Sequence, residues 1–294
     1  MMIPRAKSVA KWLIKNSLPC GIVALLERCR VYLDTSFANE EATLDALASE
    51  IGLINPLEQP RASWVVDIGA SDGVSQSSTN KYAYIYGWSG CMIECDSLKF
   101  SSLSTLYSNR ENISLVRAKV SPYNIVNILK ACDVPQDFQI LNLDIDSWDL
   151  FVIESLLKSG YLPSLITMEI NEKIPEGVIF SVRYNHEHVH RGDHFYGCSI
   201  AAACAVVKKF GYSLAAVEWN NAFFVKQSVA PALPDLSASE AFRMGYFARE
   251  DRLSVFPWNA NVDFWHSLEP EQALSEIKSY CSEYADNLYD LRLA

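Results

Sequence analysis

Trp64-Val65-Val66-Asp67-Ile68-Gly69-Ala70-Ser71-Asp72-Gly73 carries a short apolar run straight into a D-x-G-x-x-x-G turn ahead of a stretch read as helical. Two glycines let the backbone approach a ligand lying across the C-terminal end of the strand, where an open α/β sheet places its crevice. A dinucleotide fold would show G-x-G-x-x-G, whose middle glycine admits a pyrophosphate to a helix N-terminus. Ala70-Ser71-Asp72 fill the middle of this turn instead, and an acid precedes the first glycine. The turn is therefore polar and anionic, suited to a cationic ligand without phosphates.

Outward from this turn the sequence alternates short apolar runs with helix-sized intervals, the signature of βα units around a mostly parallel sheet. Seven strands are expected: 64–68, 88–93, 113–118, 138–143, 165–170, 212–218 and 221–225. The last two are separated only by Trp219-Asn220, so they must form an antiparallel hairpin. Five crossover-linked strands followed by a hairpin predict a Rossmann-like α/β sheet of the class I methyltransferase kind, with helical additions at both ends. The expected divisions are a helical arm over residues 1–60, a cofactor-binding domain over 61–228 and a C-terminal helical extension over 229–294. In that extension Leu274, Ile277, Tyr280, Tyr284, Leu288 and Leu291 read as one side of a helix. It is expected to cover a substrate cleft or build an oligomer contact.

The second strand ends at Glu94, where a carboxylate can accept both ribose hydroxyls of an adenosine. The interval from Asp67 exceeds the roughly 20 residues usual in dinucleotide folds, which requires an extended connection. The third strand ends at Ala118-Lys119-Val120, a wall for an adenine ring. S-adenosylmethionine is the cofactor that these features predict, held by Asp67, Gly69, Ser71, Asp72, Gly73, Glu94, Lys119, Val120 and Asp144. A nicotinamide-dependent oxidoreductase is the competing enzyme class, and the glycine spacing and the closing hairpin count against it.

Four stretches resemble the FkbM-type methyltransferases: 65–73, 87–94, Leu141-Asn142-Leu143-Asp144-Ile145-Asp146, and the block from Phe195-Tyr196-Gly197-Cys198-Ser199 to Asn221-Ala222-Phe223-Phe224-Val225. The resemblance covers about residues 63–226. It implies methylation of a hydroxyl, typically on a sugar or glycan or on a natural product. The sequence departs from the family at Ser147, where glycine is more usual, and this puts the shape of that loop in question.

Strands four and five end in Asp144, Asp146, Glu169 and Asn171, which the parallel sheet delivers to one crevice. Such a set suits a hard cation such as magnesium, which would position a hydroxyl and lower its pKa. In the alternative, Asp144 orients the cofactor and substrate while the others cap helices or bond to backbone. Four of the five histidines follow, at His186, His188, His190 and His194. An imidazole titrates near neutrality and can serve as general base; His194 and His190 are the candidates, beside Asp144 and Glu169. The alternation His186-Glu187-His188-Val189-His190 also admits a transition metal, or simply a solvated lid. Tyr184, Phe195, Tyr196 and Trp219 are read as a stacking wall or as core.

The formal charge of −10 argues against a general nucleic-acid binder. Only the N-terminal stretch is basic, with Arg5, Lys7, Lys11, Lys15, Arg28 and Arg30 among apolar residues; it is expected to pack on the domain or to make a peripheral membrane contact. No apolar run is long enough to span a bilayer and no secretory signal is evident, which predicts a cytoplasmic chain. The eight cysteines contain no C-x-x-C pair, so reduced thiols are expected. A small-molecule or glycan acceptor and a homodimer are the expected partners. The alternative from outside enzymology is a catalytically silent fold that serves assembly.

Overall fold

The computed structural model describes residues 40–54 and 63–294. The basic N-terminal stretch, with Cys20 and Cys29, lies outside the described residues. After the helix α1 (Glu40–Glu50), the sheet is built from β1 (Trp64–Ile68), β2 (Ser89–Glu94), β3 (Ile113–Arg117), β4 (Ile140–Leu143), β5 (Leu165–Glu169), β7 (Tyr212–Glu218) and β8 (Asn221–Lys226). Its order is β3-β2-β1-β4-β5-β8-β7, and only β8 runs against the others. This is the Rossmann-like sheet that the strand inventory predicts, and strand starts and ends fall within two residues of the expected ones.

The strand period of two sorts the side chains into two cores. Val66, Ile68, Cys91, Ile93, Leu141 and Leu143 face α3 (Ile125–Ala131), α4 (Asp149–Lys158) and α5 (Ile200–Val207). Val65, Met92, Ile140 and Leu165 face Leu44 and Leu47 of α1 and Leu103 of α2 (Ser97–Leu106). Between β1 and β2 the expected helix shrinks to one π-helical stretch, Lys81–Ile85. Most of the long interval before Glu94 is irregular chain pinned by Asn80, whose amide donates to the Gly73 carbonyl at 2.7 Å.

The C-terminal extension departs from the helical expectation. Its short helices α6 (Ala238–Phe242) and α7 (Arg252–Val255) precede α8 (Pro270–Tyr280), and the chain ends in a strand, β9 (Tyr289–Leu293). β9 pairs antiparallel with β6 (Val178–Val182), placing Tyr289 opposite Val182 and Leu291 opposite Phe180. Tyr289, Leu291 and Leu293 alternate with Asp290 and Arg292, and this period of two prevails once Val178–Val182 offers an edge. A third small core, with Val178, Phe180, Phe195, Trp265, Ile277 and Tyr289, therefore joins the histidine-bearing connection to the extension.

The extension also covers the edge of the main sheet, where open N–H and C=O groups would invite pairing with another chain. The Leu236 amide donates to the Leu214 carbonyl at 2.9 Å, and Arg249 grips Glu218 through two bonds of 2.9 and 3.0 Å while lying over the Trp219 ring. Gly245 sits so close to β7 that a Cβ there would lie 2.1 Å from the Val217 carbonyl oxygen. Gly245→Ala is expected to lower stability by about 1–3 kcal/mol, the usual cost of overpacking, measured by urea denaturation. An unchanged midpoint would show that the extension is not seated on this edge.

Candidate functional site

The ends of β1, β2 and β4 are stapled together at the glycine turn. The amides of Gly69 and Ala70 both donate to the Ile93 carbonyl at 3.0 Å, and the Asp144 amide donates to the Ile68 carbonyl at 2.9 Å. Gly69 has φ +97°, and a Cβ there would fall 1.7 Å from the Asp144 carbonyl oxygen. Glycine is thus required for the two strand ends to meet.

Glu94 is buried at the end of β2, and its carboxylate accepts from the Ser71 amide at 2.9 Å and the Asp96 amide at 2.6 Å. It fastens the turn to β2 and keeps further lone pairs able to accept hydrogen bonds. Asp72 turns away to its own loop, accepting from the amides of Val74 and Ser75 at 2.9 and 2.7 Å. Asp67 is fully engaged below the turn, where Thr79 Oγ1 donates at 2.5 Å and Asn142 Nδ2 at 2.9 Å, and burial raises its pKa. Asp67 therefore braces the turn from beneath.

The two residues expected to form an adenine wall have other contacts. Lys119 Nζ donates to the carbonyls of His186 and His188, each at 2.7 Å, and lies over the Trp148 ring. Val120 is core, and its carbonyl accepts from Trp148 Nε1 at 3.0 Å. Lys119 thus ties the histidine segment to the end of the third strand.

Beyond β4 and β5, one ligand atom from each of Asp144, Asp146 and Glu169 lies within 4.8 Å of the others. Among the described residues this is the only such convergence of three His, Cys, Asp or Glu side chains. Burial and the negative Asp146 and Asp149 push Asp144 up to about 8, and a hydrogen bond from Glu169 opposes that rise. Burial, then the charge of Asp144, raises Glu169 well above the ordinary glutamate value. A proton held between the two carboxyls relieves the repulsion.

Asp149, which the sequence reading passed over, shapes this corner. It is fully buried, accepts from the amides of Ile145 and Ser147 at 3.0 Å, and closes the loop in which Asp146 adopts φ +51°. Ser147 is fixed in this loop, with its amide held by Asp149 and its carbonyl accepting from the Gly197 amide at 2.8 Å.

Asn171 does not join the carboxylates. Its Nδ2 donates to the carbonyls of His194 and Tyr196 at 2.9 and 3.0 Å, so the amide braces the histidine segment. The strand ends at Glu169, and the Asn171 amide turns to the Cys198 carbonyl, so the alternation that would have aligned Asn171 with Glu169 stops short of it.

His190 and His194 do share a cleft of about 320 Å³ with Asp146 and Glu169. His194 Nε2 meets Asn261 Oδ1 at 3.1 Å, which puts the ring proton on Nε2 and leaves a lone pair on Nδ1. Burial, then the nearby Lys173 ammonium, lowers the His194 pKa, keeping the ring neutral near pH 7. His186 is exposed and His188 packs by its ring against Trp148 and Phe195, so the histidines do not gather as a metal set.

Among the aromatic residues, Phe195 stacks on Tyr284 at 3.7 Å, Trp219 is buried against Phe256, and Tyr184 packs on Trp148. Tyr196 lines the cleft.

The cleft wall holds a charged network that sequence reasoning missed. Glu172 and Lys173 are both almost wholly buried and pair at 3.1 Å. Lys173 Nζ donates to the Tyr196 hydroxyl at 2.5 Å, which donates to Glu172 at 2.8 Å. The signal was a pair of charges set between Ile170 and Ile174 directly after a buried strand.

No protein-family model matches the chain, and no curated protein does. Solved structures that resemble it include the METTL16 methyltransferase domain, at 14% identity and TM-score 0.32 over 44% of this chain, where the match spans about half (52%) of that domain. The N-terminal domain of EvdMO1, solved with S-adenosylhomocysteine and D-fucose, matches at 10% identity and TM-score 0.38 over 63% of this chain and 81% of its own. A SAM-dependent methyltransferase from Aquifex aeolicus matches at 10% identity and TM-score 0.36, over 71% and 97%. No described helix is long and apolar enough to cross a membrane.

Asp144 ionises near 3.8 when exposed and near 8 in the fold, so the folded chain holds an extra proton between those values. Stability should therefore fall as pH rises from about 4 to about 8 and level off above. Asp144→Asn, which also relieves Glu169 of a charged neighbour, should flatten the slope in urea titrations at pH 5, 7 and 9. An equally steep slope in the variant would place the proton elsewhere.

Proposed function

We propose that this chain transfers a methyl group from S-adenosylmethionine to a hydroxyl of a small acceptor, with a sugar, glycan or natural product as the acceptor class. The observation that carries the reading is the glycine turn of β1 held against Glu94 of β2, in a sheet whose penultimate position is taken by the reversed β8. The crevice is anionic, with Glu94, Asp144, Asp146 and Glu169 around the strand ends, which complements a sulfonium and an α-amino group and opposes a pyrophosphate. Glu94 would take the ribose hydroxyls on its remaining lone pairs, and Asp144 would face the amino-acid end.

Bound there, S-adenosylmethionine supplies a methyl carbon already activated by its positive sulfur, so the protein contributes alignment and a proton acceptor. The acceptor hydroxyl donates its proton to His194 Nδ1, and its oxygen forms the new bond to the methyl carbon as the carbon–sulfur bond breaks. The bonding pair stays on sulfur and the proton on the imidazole. General-base help of this kind is worth about 10²–10⁴ in rate. His190 lines the same cleft and is the alternative base.

A second reading adds magnesium. The donor set of Asp144, Asp146 and Glu169 is all oxygen, and Glu169 Oε2 is buried without a hydrogen-bond partner, which suits a hard cation in place of the shared proton. The ion would orient the acceptor oxygen and lower its pKa.

The test is calorimetric titration with S-adenosylhomocysteine, with and without magnesium, and with NAD as control. Binding of S-adenosylhomocysteine and not NAD is expected, weakened about 10- to 100-fold in Glu94→Ala by loss of charge-assisted bonds. Binding of NAD instead, or of neither ligand, would overturn the proposal. A rise in affinity or thermal midpoint with magnesium that vanishes in Glu169→Gln supports the metal; indifference to the ion removes it.

A further inference from the structure

The cleft that holds His190 and His194 has one wall from outside the sheet. Phe256 and Trp258, both in the C-terminal extension, line it together with Asp146 and Glu169 from the strand ends. Phe256 is buried, whereas Trp258 is 56% exposed, its ring standing at 83° to Phe256 with centroids 5.6 Å apart.

Trp258 is fixed by its neighbour. Asn259 is 1% exposed, and its Nδ2 donates to Glu172 Oε1 at 2.7 Å and to the Tyr246 hydroxyl at 3.0 Å. Glu172 is held in turn by Lys173 and Tyr196. The buried charged network after β5 thus anchors the turn that presents the indole.

A lone exposed tryptophan needs no explanation, but the polar side of the same cleft does. Glu169 Oε2, Asn220 Oδ1, His190 Nδ1 and His194 Nδ1 are buried and lack hydrogen-bond partners, and all four residues line the cleft. Buried polar atoms are almost always paired, and leaving one unpaired costs about 1–3 kcal/mol. Of these four atoms, Glu169 Oε2, Asn220 Oδ1 and the unprotonated His194 Nδ1 accept hydrogen bonds. A ligand bearing several donors, with one apolar face, would satisfy both sides at once.

We propose that Trp258 is the platform of a binding subsite for a neutral polyhydroxylated ring, whose C–H face lies on the indole and whose hydroxyls pair with Glu169, Asn220, His190 and His194. A cationic amine would also find acceptors, but an aromatic cage needs more than the single exposed ring present here. The extension then sets specificity while the sheet supplies the chemistry. The role of this ligand as methyl acceptor rests on the function proposed above; its binding does not.

Saturation-transfer NMR on the full chain tests it, with the methyl pyranosides of glucose, galactose and mannose, myo-inositol, and choline as probes. Transfer to ring protons of at least one polyol is expected, falling about five- to tenfold in Trp258→Ala and recovering in Trp258→Phe. Transfer that survives Trp258→Ala, transfer to choline alone, or none to any polyol overturns the proposal. S-adenosylhomocysteine affinity, measured on the same samples, should be equal in all three proteins. If that affinity is absent while the Trp258-dependent signal persists, methyl transfer fails and the subsite stands.

Discussion

Everything at the top of this sheet depends on the contact between Gly69 and Asp144. With no side chain at Gly69, the backbone of the β1 turn lies against the Asp144 carbonyl, closer than any Cβ permits. One contact thereby sets two things. It opens the turn above β1, where Glu94 reaches the Ser71 amide, and it brings the acids that follow β4 beside that turn. Any larger residue at 69 would part β1 from β4, and with them the glycine turn from the carboxylates.

The second organising element is the buried group of Glu172, Lys173, Tyr196 and Asn259. A buried ion pair offers little net stability, because desolvation offsets the attraction. Its members come from the end of β5, the histidine segment and the extension, so satisfying it fixes those three parts in one register. Lys119 adds a fourth tether by holding the carbonyls of His186 and His188. The histidine segment is therefore fastened at both ends, by Lys119 at His186 and His188 and by Asn171 and the buried group at His194 and Tyr196.

The main sheet was legible because each of its strands is an apolar run bounded by polar or turn residues, and the Trp219-Asn220 turn forces the hairpin. β6 and β9 were not, because their pairing joins residues more than a hundred positions apart. The spacing of Leu274, Ile277, Tyr280, Tyr284, Leu288 and Leu291 fits a helix as well as what forms. At the site, residue types at strand ends located Glu94, Asp144, Asp146 and Glu169 but not their partners. Asp67 faces Thr79 of the irregular interval and Asn142 of β4, contacts distant in sequence, and Asn171 faces two carbonyls because its strand stops at Glu169. Lys119, Glu172 and Asn259 acquire their roles only through contacts distant in sequence.

The two proton acceptors of the cleft are tuned in opposite directions by the same low-dielectric surroundings. Burial disfavours charge on any group, so it raises the carboxyls of Asp144 and Glu169 and lowers the imidazole of His194. Near pH 7 the first pair keeps a proton and the second keeps a lone pair. A cation entering the carboxylate corner, whether a sulfonium or a metal, would expel that shared proton and stabilise the ionised acids. Proton uptake at His194 would also place a positive charge near the acids of the cleft, where Glu172 and Asp193 favour it while Lys173 opposes it. Burial tunes the acids and the imidazole in opposite directions, but a positive charge in the acid corner would lower the proton affinity of both, so the protonation of His194 is electrostatically linked to what occupies that corner.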